Sequence, residues 1–269
     1  QYNRPSASAR EANPNRCGSV PRAMDRFQNK VILIAGGSRG IGAAVARRFS
    51  SLGGEIAIGY RTHRDAADVL VSDIEAKSGV AKAFEGDISR ANSVETLVQN
   101  VIAHFGRIDV LVNCAAVAPY RPLRAIDEAL FREIFDANVL GTVLLTQAVV
   151  PHLPSPGGRI INFSSRLAFS PIPTSSIYAA SKAAVITLTQ AFSKELGPKG
   201  ITVNAVAPGV IETDMTTSII AERGDAIRAA TPLGHIGQPE DIAGIVTFLA
   251  SPDAGWITGR TILADGGMT

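Results

Sequence analysis

Only two of the 269 residues are cysteine, Cys17 and Cys114. Two thiols cannot build a disulfide framework, so both are expected free, as in a protein of the reducing cytoplasm. Charge is also sparse, at 19% of residues and a net +2. With no basic stripe interleaved with aromatics, nucleic acid is excluded as a partner. No uninterrupted apolar run reaches the roughly 18 residues of a membrane span, so no membrane is expected, and no metal site is expected either. Hydrophobic residues are what the chain has in quantity, at 46%. That supports one sizeable core, and the length suits one large α/β domain.

The first 23 residues, QYNRPSASAREANPNRCGSVPRA, are of another kind. They are rich in Pro, Ser, Asn and Arg and lack both apolar periodicity and the apolar centre of a signal peptide. Arg4, Arg10, Arg16 and Arg22 against the single acid Glu11 faintly resemble a transit peptide. The composition favours a disordered extension, with Met24 a candidate start. The domain is therefore assigned to residues 24–269.

From residue 30 the chain alternates β-branched runs with helical stretches. Strands are predicted at 31–35, 55–59, 80–84, 109–113, 159–164, 201–206 and 261–264. Helices are predicted near 40–52, 64–77, 91–105, 126–152, 177–197 and 238–250. This alternation implies a doubly wound, seven-stranded parallel sheet of Rossmann type with helices on both faces. Ligands of such sheets bind beyond the carboxyl ends of the strands, so chemistry is sought there.

After the first strand comes AGGSRGIG, with Gly36, Gly40 and Gly42 at a turn that opens a helix. Such a turn lets the backbone approach a pyrophosphate, and the helix N-terminus supplies amide donors. Ser38, Arg39 and Ile41 fill it out. A dinucleotide site often carries an acid about 20 residues further on, bonding the ribose 2′-hydroxyl. The second strand ends instead in Tyr60 and Arg61. Two guanidiniums, Arg39 and Arg61, and no acid suit a 2′-phosphate, which predicts NADP(H), with NAD(H) as the alternative. Asp87 and Ile88 follow the third strand and are candidates for adenine contact. Asn113, with small Ala115 and Ala116, follows the fourth and would let a ribose lie close.

The stretch SSIYAASKAA holds Tyr178 and Lys182 four residues apart. One helical turn puts their Cβ atoms roughly 5–6 Å apart on one face. An ammonium at that range would bring a phenol of pKa about 10 down by about two units, close to working pH. The pair is either a tuned proton donor or two exposed helix residues.

The order GGSRGIG, GDI, VNCAA, ANVLG, NFSS, YAASK and VAPGVIET resembles the short-chain dehydrogenase/reductase family over residues 28–269. The resemblance implies hydride transfer at an Asn-Ser-Tyr-Lys set, here Asn138, Ser165, Tyr178 and Lys182. It settles the pair as the acid–base centre. It implies that Tyr178 exchanges a proton with the carbonyl or alcohol oxygen and that Ser165 holds that oxygen. Lys182 would tune the tyrosine and bond the nicotinamide ribose, and Asn138, inside a helix, would hold a relay water. Pro208, Gly209, Ile211 and Thr213 match the segment that lines the nicotinamide. Ala35, Cys114 and Ala116 depart from the family pattern, where Thr, Asn and Gly are usual. The resemblance also implies a homodimer or homotetramer, paired through the helices at 126–152 and 177–197, which are apolar or small on more than one face.

Substrate specificity is assigned to the loops 117–125, 166–177 and 210–232. Phe169, Pro171, Ile172, Ile211 and Met215 are apolar there, whereas Arg121, Arg124 and Arg166 are cationic. Arg166, directly after Ser165, stands nearest the chemistry. A small ketone or secondary alcohol is expected as substrate. PLGHIGQPEDIA and the closing ITGRTILADGG resemble the 3-oxoacyl-carrier-protein reductase branch, whose acidic carrier docks on basic residues, with Lys199 a candidate. An inactive cofactor-binding regulator would tolerate loss of Ser, Tyr or Lys, and all are present. A nucleotide-sugar epimerase needs a larger C-terminal region than the 60 residues after Gly209.

Overall fold

Val31–Ala35 is buried along its whole length, as only a central strand covered on both faces can be. It is β1 of a seven-stranded sheet in the computed structural model, which describes residues 26–269. The N-terminal extension, Cys17 and Met24 lie outside the described residues. The other strands are β2 (Glu55–Tyr60), β3 (Val80–Glu85), β4 (Val110–Asn113), β5 (Arg159–Phe163), β6 (Thr202–Pro208) and β7 (Thr261–Ala264). All pair in parallel, in the order β3-β2-β1-β4-β5-β6-β7. The order reverses between β1 and β4, so a crevice opens at their carboxyl ends, beside Ala35 and Asn113.

Helices α1 (Gly40–Ser51), α2 (Arg64–Glu75) and α8 (Pro239–Ala250) bury their apolar faces in the core on one side of the sheet. On the other side pack α3 (Ala91–Phe105), α5 (Gly141–Val149) and α6 (Ser176–Leu196). Asp109 fastens β1 to β4 from below. Its buried carboxylate accepts bonds from Lys30 Nζ (3.0 Å), Val31 N (3.0 Å), Arg107 Nε (2.8 Å) and Arg107 Nη2 (2.6 Å).

Two predicted regions differ. The segment 210–232, read as a loop, holds α7 (Thr217–Ala230). Among its residues only Gly224 is buried, and Arg223 breaks the helical backbone, so no apolar stripe betrays it. The helix predicted at 126–152 is a composite: α4 (Glu128–Phe135), a π turn (Asp136–Leu140), α5 and a last 3-10 turn to His152. Asp127 caps it by accepting from Leu130 N at 2.8 Å. Joined, Glu128–His152 has a mean hydropathy of 1.4 over its most apolar window, enough by length and composition to cross a membrane. The sequence has no unbroken apolar run there, yet the fold joins the pieces. Its faces meet α3 and α6, and 44% of that window is buried inside the fold, as in a core helix with one face uncovered.

Candidate active site

The glycine turn leaves no room for side chains. A Cβ on Gly36 would lie 2.6 Å from Ala115 Cα, and one on Gly42 would lie 2.2 Å from the Gly36 carbonyl oxygen. Gly36 and Gly40 have φ of +77° and +53°, which glycine adopts without strain. α1 then starts with no side-chain cap and no acid in its first turn. Its first amides therefore face the crevice without a protein acceptor, the arrangement a phosphate completes. This end of the site fits a dinucleotide.

A cavity of about 580 Å³ runs from this turn across the carboxyl ends of the strands. The predicted residues Gly36, Ser38, Arg39, Gly40, Ile41, Gly42, Tyr60, Arg61, Asp87, Ile88 and Ala115 line it. So do Ser165, Tyr178, Lys182, Pro208, Gly209, Ile211 and Thr213. At its polar end Arg61 is exposed, and Arg39 Nη1 lies 3.4 Å from Asp214 Oδ2. Asp87 is a second carboxylate lining the cavity. Burial pushes its pKa up, but bonds from Ser89 and the charges of Arg61 and Arg90 outweigh this and hold it below the usual range.

At the other end α6 carries the predicted pair. Tyr178, Ser181, Lys182, Val185 and Thr189 form its buried face, at the spacing of one helical stripe. Ser165 Oγ accepts from Leu167 N at 3.2 Å and stands close enough to the Tyr178 phenol to pull its pKa downward. Lys182 Nζ donates to the Phe163 carbonyl at 2.9 Å and lies 5.8 Å from the centre of the Tyr178 ring. Burial pushes the Lys182 pKa down to about 8, against a smaller upward pull from Cys114.

The charge state of Tyr178 corrects the sequence reading. Its pKa is raised, chiefly by burial and further by Tyr120 and Cys114, with Ser165 opposing. The expected two-unit depression is absent because the lysine is itself desolvated and its Nζ is engaged by Phe163. Cys114 is no better an acid, since burial pushes its thiol up to about 12.

Asn138 and Asn113 stand behind the cavity rather than in its lining. Asn138 lies in the π turn, and its amide is fully used: Oδ1 accepts from Val117 N (2.9 Å), and Nδ2 donates to Val117 O (3.0 Å) and Ser181 Oγ (3.1 Å). It holds the post-β4 loop against α6 rather than offering its side chain to a relay water. Asn113 Nδ2 donates to Asn162 Oδ1 (2.8 Å), whose own amide donates to Thr189 (2.9 Å), so Asn113 ties β4 to β5 and α6. Of the specificity residues, Arg166, Ile172, Ile211 and Met215 line the cavity, whereas Arg121, Arg124 and Phe169 are exposed outside it. Lys199 sits beyond the far end of α6, roughly 27 Å along the helix from Tyr178, and cannot serve the mouth of the site.

A family model described as enoyl-(acyl carrier protein) reductase matches residues 35–269. An uncharacterized oxidoreductase of Methylorubrum extorquens is 42% identical over 248 residues, covering 91% of this chain and 100% of that one. A 3-oxoacyl-[acyl-carrier-protein] reductase of Synechocystis sp. is 40% identical, covering 91% and 99%. A short-chain dehydrogenase from Burkholderia cenocepacia, solved in complex with NADP, superposes with a TM-score of 0.86 at 37% identity, covering 90% and 99%. The chain belongs to the short-chain dehydrogenase/reductase family. It is an oxidoreductase of carbonyl and alcohol groups.

Inside the specificity segments 117–125 and 210–232, the sequence did not single out Tyr120, whose ring centroid lies 5.8 Å from that of Tyr178, or Ser218 and Ile219 of α7. Tyr120 gave no signal because its loop has no period. The α7 residues were missed with their helix.

Proposed function

We propose that this chain reduces a small ketone to a secondary alcohol with NADP(H), in the cytoplasm, where a thiol such as Cys114 stays reduced. The observation that carries the reading is one cavity with an uncapped helix N-terminus, Arg39 and Arg61 at one end, and Ser165, Tyr178 and Lys182 at the other. The nicotinamide, when bound, supplies or accepts the hydride. The chain supplies the rest. Gly36, Gly40 and the first amides of α1 seat the pyrophosphate, and Arg39 and Arg61 take the 2′-phosphate. Ser165 Oγ holds the carbonyl oxygen and stabilises charge growing on it. Tyr178, neutral because it is buried, gives that oxygen its proton. Lys182 places a positive charge beneath the phenol as its proton leaves. Asn138 is a positioning residue that fixes Val117 at the cavity wall.

Incubation with NADPH and a panel of ketones, following loss of NADPH absorbance, tests the reading. Consumption that requires a ketone supports it, and none with any ketone overturns it. The Synechocystis relative favours a second reading, a 3-oxoacyl group carried on acyl-carrier protein. With Lys199 excluded, exposed Arg121 and Arg124 are the cations left for a carrier. Comparing a carrier-bound substrate with a short free ketone separates the two readings.

Arg61→Asp is expected to weaken NADPH by about 10- to 100-fold while changing NADH little, because a charge-assisted phosphate contact is lost and a repulsion added. Titrations of both cofactors measure this. Equal losses would remove Arg61 from phosphate recognition.

We propose assembly as a homodimer or homotetramer, supported by the uncovered faces of Glu128–His152 and α6. Phe131 and Leu140 are 43% and 41% exposed on the first of these. A helix apolar on more than one face needs a second partner. Light scattering at micromolar concentration is expected to give a dimer or tetramer mass, and a monomer mass refutes the assembly.

A further inference from the structure

Directly after Ser165 the backbone winds into a short 3-10 turn, Arg166–Ala168. Phe169 N and Ser170 N both donate to the Arg166 carbonyl, at 2.9 and 3.0 Å, and fix the turn. It sets Arg166, half-buried, in the wall of the cavity beside the reacting groups. Tyr120 lines the same end, tilted 54° to the Tyr178 ring. Burial raises the Tyr120 pKa, and the Arg166 charge pulls against it, so guanidinium and phenol lie within each other's field. Leu167, Ile172 and Met215 make the rest of this wall apolar.

Arg166 has no ion-pair partner among the described residues. The two carboxylates that line the cavity are committed elsewhere, Asp87 to Ser89 and Arg90, and Asp214 to Arg39. A guanidinium drawn partly out of water beside an apolar wall, with no protein anion facing it, is completed by an anion that arrives with the ligand. Its planar fork matches a carboxylate in two parallel bonds.

We infer that Arg166 determines substrate class: the substrate is a ketone with an apolar body and a carboxylate, which Arg166 binds while Ser165 and Tyr178 take the carbonyl oxygen. This rests on the reductase reading above. It adds the charge of the substrate and the residue that reads it.

The test pairs 4-acetylbenzoate with 4-acetylbenzamide, which keeps the ring and the ketone and removes the charge. The wild-type protein is expected to favour the acid by about 10- to 100-fold in kcat/KM, chiefly through KM, the range for one charge-assisted bidentate contact. Arg166→Met keeps the aliphatic stem, and the acid-to-amide ratio is expected to fall to about one. Arg166→Lys restores part of it. No preference in the wild type, or an unchanged ratio in Arg166→Met, overturns the inference. Calorimetric titration with benzoate gives a readout free of turnover: the wild type binds and Arg166→Met does not, whereas equal binding overturns the inference. Where neither ketone turns over, the ketone panel above decides the reductase reading and the benzoate titration decides for Arg166.

Discussion

Tyr178→Phe is expected to cut kcat for ketone reduction by roughly 10²–10⁴-fold or more, the contribution of a positioned general acid. The ring stays packed with Leu167 and Ala179, and its tilted contact with Tyr120 needs no hydroxyl. The phosphate end of the cavity is untouched, so NADPH affinity should stay within a few-fold by fluorescence titration. The raised pKa of Tyr178 adds a direction. A phenol held neutral is a proton donor at pH 7, and reduction should run there without a prior ionisation. Alcohol oxidation needs the phenolate, so its rate should climb as pH rises, while the reductive rate stays flat or falls. Steady-state rates in both directions across pH check this. Near-normal turnover by the Phe variant would show that another group carries the proton.

The sequence made the strands legible because the central ones are buried on both faces, so β1 and β4 are apolar almost without interruption. The glycine turn was legible for a related reason, since Gly36 and Gly42 face backbone atoms at distances no Cβ tolerates. What was not legible depended on partners far along the chain. Asn113 was read as a cofactor contact; its Nδ2 is claimed by Asn162, 49 residues on, while its Oδ1 is buried with no partner among the described residues. Asn138 was read as the holder of a relay water inside a regular helix, because apolar periodicity runs through the π turn without a break. Such a turn redirects a side chain without changing composition, and here it hands the amide to Val117. Spacing gave the Tyr178–Lys182 pair but not its charge state. Burial sets that state first, and Tyr120 and Cys114, both on the loop after β4, add to it at Tyr178.

Lys182→Met should make the protein both less active and, at neutral pH, no less stable. Wild-type Lys182 is 3% exposed, and burial holds its pKa near 8 against an ordinary 10.5. Between those two values the unfolded chain binds more protons than the folded one, so the contribution of Lys182 to stability rises with pH across that window. Below it the full cost of keeping a buried charge is present, about 3 kcal/mol at most from the size of the shift. Methionine removes that cost, and losing the bond to the Phe163 carbonyl offsets about 1 kcal/mol of the gain. The melting temperature of the variant should therefore equal or exceed that of the wild type at pH 7, with the difference shrinking toward pH 10. Titrations outside residue 182 cancel in that comparison. In the same sample turnover should fall by roughly 10²-fold or more, since nothing then offsets the charge left on Tyr178 as its proton departs. NADPH should bind about tenfold more weakly for want of one charge-assisted contact. A variant that unfolds at pH 7 would make Lys182 a structural brace. A lysine kept buried and charged where methionine is tolerated has only the chemistry to account for it.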